Sequence, residues 1–489
     1  MLFNSLHFLV FFPVVVGLYY GLPPRGRGAL LLLASYYFYM SWRPEYALLL
    51  LATTALDYYS GIRMSRLPEK RQRRPWLALS LGSNLGTLFI FKYFNFFRDA
   101  ALALAGVLHL PVGAGPALGL LLPVGVSFYT FQSVGYTIDV YQGRLAAERD
   151  FGRFALFVAF FPQLVAGPIE RGGHMLPQFR RAHPFDYARI VSGLRLMAWG
   201  LFKKVVVADR LALLVNPIFN NPRQHPEGPL LVLVTLAFTF QIYGDFSGYT
   251  DLARGAARVL GFDFNLNFRQ PYQSASVPEF WRRWHISLSS WFRDYVYIPL
   301  GGSRVGPARA YVNLLAVFLI SGLWHGANFT FIVWGGLHGL YLVLSTWARP
   351  LREQLAQRTG LAAHPKLRRG LGVTLTFGLV AYAWIFFRAN TLGDALFISR
   401  HLLRGWQLNG RQVATLLLDF SQHYRPELAV AAFAVGLMLA VEYLGSRRSP
   451  QAWVAAQPWA TRWTGYVGLV LLILYLGVFN STSFIYFQF

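Results

Sequence analysis

The chain has 489 residues, of which 55% are apolar, 17% aromatic and only 13% charged, where soluble domains carry about 25% charged residues. With mean hydropathy at +0.39, this composition argues against a water-soluble enzyme, a disordered chain or a coiled coil. The formal net charge of +24 comes without any nucleic-acid motif, so it reads as basic residues gathered in cytoplasmic loops; the absence of Cys removes disulfides, thiolate nucleophiles and Cys-based zinc sites, and no metal-ligand set is predicted.

In chain order, Leu6–Leu22 comes first, and the first basic residues, Arg25 and Arg27, follow it. A cleaved secretory signal has its charge before the apolar run. The pattern predicts an uncleaved first span with its N-terminus outside. Further apolar windows fall near 29–42, 45–61, 76–97, 121–141, 190–207, 229–247, 311–324, 328–346, 371–388, 427–445 and 463–481. The expected fold is an all-α polytopic membrane protein with roughly 11–12 transmembrane helices plus re-entrant and interfacial helices, several spans being shorter than the usual 20 residues or so. The stretch 154–169 has basic residues on both sides and is a candidate re-entrant segment.

Basic runs at 63–74, 171–189, 282–309 and 349–369, with Arg447 and Arg448, are placed inside. Lys203 and Lys204 fit this map poorly, because they fall in a predicted span. Either that helix ends in the interface or the two side chains snorkel.

Three segments carry polar chemistry. Residues 274–295 open with Ser276-x-x-Glu279 and Pro278, a helix start of the capping-box kind. Val277, Phe280, Trp281, Trp284, Leu288, Trp291 and Tyr295 then follow helical spacing, with Arg282, Arg283 and Arg293 elsewhere. This predicts one amphipathic helix at the headgroup layer, with His285 at the border of its apolar stripe. The plain alternative is an interfacial helix with an incidental polar His.

The second segment is FLISGLWHGANFTFI, 318–332. His325 lies there between two apolar runs, and an ionisable group at membrane depth is a functional candidate by default. Gly322, Gly326 and Ala327 leave space beside it for a substrate or another backbone. The alternative is a buried His satisfied by a carbonyl. His338, further along the same apolar stretch, is expected to face elsewhere and to be structural.

The third segment is YGDFSGYTD, 243–251. Asp245 needs a partner there, which would be a His to orient or an Arg to pair with; a helix-end carboxylate at a water boundary competes with this reading. FPQLVAGPIER at 161–171 supplies a Pro/Gly break and the pair Glu170/Arg171, which in isolation reads as a turn.

No Walker loop, HExxH or GxSxG is present. What remains is histidine inside a membrane. A neutral imidazole can take the proton of a hydroxyl as it attacks an activated carbonyl, while a second His or an Asn polarises the carbonyl oxygen. A proton or ion pathway uses the same residue types and stays open at this point.

Three runs in particular, GDFSGYTDLARGAARVLGF at 244–262, PEFWRRWHISLSSWFRDYVYIPLGG at 278–302 and SGLWHGANFTFIVWGGLHG at 321–339, resemble the membrane-bound O-acyltransferase (MBOAT) superfamily. FNSLHFLVFFPVVVGLYY near the start, FPQLVAGPIER, and FIYFQF at 484–489 resemble its alginate O-acetyltransferase branch. The resemblance implies a single integral-membrane domain over 1–489 around a central funnel or tunnel, with a core at about 121–346 and peripheral helices at 1–120 and 371–489. It implies that His325, in Trp324-His325-Gly326, is the essential His and that His285 is the second. Many members of the superfamily carry Asn at that second position, and His there argues against sterol- or lipid-acylating relatives.

It also implies an acyl donor arriving as a cytoplasmic thioester, acetyl-CoA by resemblance, with no bound cofactor. The product would be an O-acetylated exported polysaccharide such as alginate. An extracytoplasmic SGNH-type acetyltransferase and the polysaccharide synthesis-export machinery would be partners beside the lipid bilayer of the bacterial inner membrane. On this reading Arg282 and Arg283 meet the donor, and Asp245, Trp324, Asn328, Trp281, Trp284 and Tyr243 are weaker binding or orienting candidates. D-alanyl transfer from a carrier protein to a cell-wall polymer is the alternative on the same scaffold; a transporter or channel subunit is the alternative of another class.

Overall fold

The computed structural model describes residues 1–113, 115–165, 167–406, 410–445, 454–479 and 484–485. Arg447, Arg448 and the last four residues lie outside that set. Among the described residues all regular structure is helical, and seven helices are long and apolar enough to cross a membrane: 70–107, 228–260, 307–325, 329–347, 365–388, 426–445 and 459–476. The other predicted spans are helices too, but shorter or more polar; Leu6–Gly21 is a shorter apolar helix.

The chain forms two compact units. The first comprises 1–194 and 253–265, the second 195–252 and 266–489. In the first unit α1 (Leu6–Gly21) starts at Ser5, whose hydroxyl accepts from Phe8 N–H at 3.2 Å, a side-chain N-cap. Next come α2 (Pro24–Met40), α3 (Glu45–Ser65), α4 (Lys70–Leu88), α5 (Phe94–Val107) and α6 (Val126–Gln142). A π-helical turn, Phe89–Tyr93, joins α4 to α5. Asp57 on α3 is fully buried, and its carboxylate is met by Ser80 Oγ at 2.6 Å and Asn84 Nδ2 at 2.8 Å from α4. Burying this acid is tolerable because it is hydrogen-bonded.

The segment 154–169 falls in two short helices, α7 (Phe151–Ala159) and α8 (Phe161–Leu164), broken at Phe160. Ser35 Oγ accepts from the freed Phe161 N–H at 3.1 Å, which satisfies a donor the break would orphan. α9 (Gly172–Phe179) and α10 (Tyr187–Leu201) follow.

In the second unit a π-helical turn, Phe202–Ala208, leads into α11 (Asp209–Asn220) and the long α12 (Gly228–Leu260). Beyond them lie α13 (Val277–Trp281), α14 (Ile286–Phe292), α15 (Pro307–His325), α16 (Phe329–Trp347), α17 (Arg349–Arg358), α18 (Pro365–Arg388), α19 (Leu392–His401), α20 (Gly410–Gly445) and α21 (Trp459–Leu476). α15 and α16 pack through glycines. A Cβ on Gly322 would strike the carbonyl of Phe331, and one on Gly335 the carbonyl of Phe318. Small residues allow this backbone approach, which stands in for hydrophobic driving force between helices in lipid.

Lys203 and Lys204 neither end in an interface nor snorkel. Both are buried. Lys203 Nζ lies 2.6 Å from Asp251 Oδ2 and donates to Ser247 Oγ at 3.0 Å. Lys204 Nζ lies 2.8 Å from Asp209 Oδ1 and 2.7 Å from Asp245 Oδ1. Asp209 lies five residues on at the start of α11, but Asp245 and Asp251 come from α12, more than 40 residues on, and that distance hid their pairing.

Candidate active site

The site is built where the chain leaves helix. The 276–295 stretch is not one amphipathic helix at an interface. Ser276 does cap it, accepting from Glu279 N–H at 3.3 Å, and Glu279 Oε2 accepts from Ala275 N–H at 2.8 Å. But α13 ends at Trp281, and His285 then takes a left-handed conformation (φ 44°, ψ 53°) before α14 begins. For a residue with a Cβ that conformation costs about 1–3 kcal/mol.

The bonds that hold it come from residues 267–269. Arg269 N–H donates to the Arg283 carbonyl at 2.9 Å, and Ile286 N–H to the Asn267 carbonyl at 3.0 Å. These two bonds take over backbone groups that a continuous helix would have used. Trp281, Trp284, His285 and Trp291 are all buried, while Arg282 and Arg293 are exposed. Arg283 is engaged within the fold, 2.7 Å from Glu279.

This stretch runs beside α15. Asn313 Nδ2, two turns into α15, donates to the Leu300 carbonyl at 3.1 Å. Near the other end, Trp324 lies 6.2 Å from the His285 ring. The two contacts are about 16 Å apart along the helix at 1.5 Å per residue, so the 266–300 segment lines the second half of α15 and brings His285 to its C-terminal end.

His325 is the last residue of α15. It and His285 share one aromatic wall. His285 meets the Phe246 ring edge-on at 4.7 Å. Trp324 lies 4.9 Å from His325, and His325 lies 4.9 Å from Trp334 and 5.3 Å from Phe387. Trp384 continues the wall, 5.8 Å from Trp334 and 5.1 Å from Trp284. His285 is 0% and His325 4% exposed, so reaching either ring requires these aromatics to move. The space expected beside His325 is taken by α16: the Phe331 carbonyl fills the gap at Gly322, and its ring the gap at Gly326.

His285 lies outside the seven spanning helices but packs against two of them, α12 and α15. Its Nδ1 lies 3.2 Å from Asn267 Oδ1. His338 does not face elsewhere. α16 restarts at Phe329 after a break, so angular counting from His325 does not carry across. His338 is fully buried, 5.0 Å from Trp334, and Trp281 Nε1 donates to its Nδ1 at 3.3 Å. An indole can only donate, so a neutral His338 carries its proton on Nε2.

The remaining candidates are structural in their contacts. Asp245 pairs with Lys204 rather than with a His or Arg, and its Oδ2 accepts from Ile485 N–H at 2.7 Å. Tyr243 donates to Glu442 Oε1 at 2.6 Å. Asn328 caps α16, accepting from Thr330 N–H at 3.0 Å, and donates to the Asn390 carbonyl at 3.0 Å. Asn267, Trp334, Trp384 and Phe387 were missed by sequence reasoning. The three aromatics look like any lipid-facing ring in a span, and Asn267 sits in a stretch with no helical periodicity.

Residues 147–364 match the membrane-bound O-acyltransferase family, and the chain belongs to that family: it is a multi-pass membrane acyltransferase. Among curated relatives it is similar to a probable alginate O-acetylase AlgI of Pseudomonas putida, 38% identical over 519 residues covering 100% of both chains. A peptidoglycan O-acetyltransferase of Helicobacter pylori is 34% identical, over 86% of this chain and 83% of the relative. A teichoic acid D-alanyltransferase of Streptococcus thermophilus is 29% identical, over 58% and 71%.

Proposed function

We propose that this protein is an O-acetyltransferase of the bacterial inner membrane. It takes acetyl from a cytoplasmic thioester, acetyl-CoA, and passes it across the membrane for O-acetylation of an exported polysaccharide, directly or through an extracytoplasmic SGNH-type partner. The observation that carries this reading is the pair of buried imidazoles, His285 and His325, joined through Trp324. His325 serves as general base or positions the thioester carbonyl, and His285 assists. The full-length similarity to alginate O-acetylases supports the cargo and the acceptor class.

Sidedness follows from charge. If the basic runs at 282–309 and 349–369 lie inside, with the N-terminus outside, then α15 leaves the inner face. Its 19 residues measure about 28 Å, close to the hydrocarbon thickness. His325 then sits at the outer end of α15.

The test is His325→Ala in cells whose exported polymer depends on this protein. Polymer O-acetyl content should fall to background while the variant still inserts and purifies as a monodisperse species. Undiminished acetylation overturns the assignment. The similarity to a D-alanyltransferase makes a second substrate comparison worthwhile: acetyl-CoA should support transfer, and an aminoacyl carrier protein should not.

A further inference from the structure

We infer that Asn267 is a positioning residue for the transfer: it holds His285 as the Nδ1–H tautomer, so that the Nε2 lone pair takes the hydroxyl proton. The inference rests on the acyl-transfer reading above and adds which atom works and what aims it.

The proton positions follow from donors that have no choice. Asn267 Oδ1 accepts from the backbone N–H of Ser287 at 3.2 Å and from its hydroxyl at 3.0 Å. A backbone N–H only donates, so the Asn267 atom facing it is the oxygen and not the amide nitrogen. That same oxygen lies 3.2 Å from His285 Nδ1. It can only accept, so a neutral imidazole must carry its hydrogen on Nδ1. Nε2 is left with the lone pair, and among the described residues this buried atom has no hydrogen-bond partner.

Two further observations separate this from ordinary packing. Asn267 is fully buried, yet its Nδ2 also has no partner among the described residues. An unsatisfied buried amide is destabilising, so a leucine of similar volume would serve a purely structural role better. The Asn267 carbonyl also accepts from the N–H of Ile286, the residue that follows the strained His285. One residue thus fixes both the backbone and the protonation pattern of the imidazole.

In the step, the hydroxyl proton passes to Nε2 as the oxygen forms its bond to the acetyl carbonyl carbon. The carbon–sulfur bond breaks, and the leaving thiolate takes the proton back from Nε2. An ester and a free thiol result, and the imidazole ends neutral. His325 then holds the carbonyl side of the same reaction.

The experiment compares Asn267→Leu and Asn267→Asp in membrane vesicles given radiolabelled acetyl-CoA. Loss of an aimed base lowers the rate by about 10²-fold or more, so N267L should lose about that factor in kcat with KM for acetyl-CoA changed less than about twofold. N267D keeps an acceptor against Nδ1–H and should recover most of the rate at alkaline pH. The rings packed on His285, Phe246 of α12 and Trp324 of α15, carry no charge, so the new carboxylate alone raises the imidazole's proton affinity. N267D should therefore lose activity on the acid side at a higher pH than wild type. Equal kcat in N267L and wild type overturns the inference, as does equal loss in N267L and N267D at every pH. If wild type itself transfers no acetyl, the acyl-transfer reading fails instead. Histidine ¹⁵N NMR of the full chain then still decides the tautomer: a neutral Nδ1–H signal that vanishes in H285Q supports the inference, and an Nε2–H form at His285 overturns it.

Discussion

Lys204 offers the sharpest test of how this fold tolerates charge at membrane depth. Its ammonium lies between Asp209 and Asp245, at 2.8 Å and 2.7 Å, and all three side chains are about 5% exposed or less. Lys204→Met removes the only cation of the trio and leaves two buried carboxylates facing each other. Breaking a buried ion pair from one side costs about 3–5 kcal/mol. Asp245→Asn is milder. The Lys204–Asp209 pair survives, the amide oxygen can still accept from Ile485 N–H, and the loss is one charged hydrogen bond of about 1.5–3 kcal/mol. For a chain of this length the unfolding entropy is about 1 kcal/mol/K, so each kcal/mol moves the midpoint by about 1 °C. We expect K204M to melt about 3–5 °C below wild type in detergent, D245N about 1.5–3 °C below, and the double variant above K204M alone. The assay is size-exclusion fluorescence after stepwise heating. A K204M midpoint at or above that of D245N would refute the account.

Other outcomes follow from the same geometry. His285→Gly relieves the left-handed backbone strain and removes the imidazole, so the variant should insert and stay folded while acetyl transfer is lost; retained transfer in a radiolabel assay counts against a role for His285. Gly335→Ala places a methyl against the Phe318 carbonyl and should cost more than about 2 kcal/mol, whereas Gly336→Ala, with its nearest neighbour at 3.6 Å, should be neutral in the same melt. His174 Nδ1 lies 2.8 Å from the buried Glu170, a hydrogen bond that raises its pKa. The pair's stabilisation is present below the ordinary His value and lost as pH climbs through the raised one. Wild type should therefore lose midpoint relative to His174→Gln as pH rises from below the ordinary His value to well above it; parallel curves would rule the coupling out.

Much of this protein is legible in one dimension because lipid punishes unsatisfied backbone. Long apolar windows such as 229–247 and 371–388 became helices, and the Ser276–Glu279 start was real. What failed was anything decided by partners distant in sequence. Lys203 and Lys204 looked out of place until Asp251 and Asp245 of α12 met them. The Trp-rich run at 277–295 has helical spacing throughout, yet two backbone bonds from residues 267–269 break it at His285. His338 was misplaced because helical phase cannot be counted across the break at 326–328. The two candidate imidazoles were singled out from residue type, position and the family resemblance; the contact of Asn267 with His285 was not foreseen, since a buried Asn in an irregular stretch leaves no periodic trace.

The indole and phenyl rings around His285 and His325 bear on a competition every thioester faces. Hydrolysis and alcoholysis share one carbonyl, and bulk solvent favours the former by sheer abundance. On the proposed reaction, rings that shut solvent out would tilt the partition toward the acceptor alcohol, and the acetyl group would be held for that acceptor instead of being lost to water at an idle enzyme.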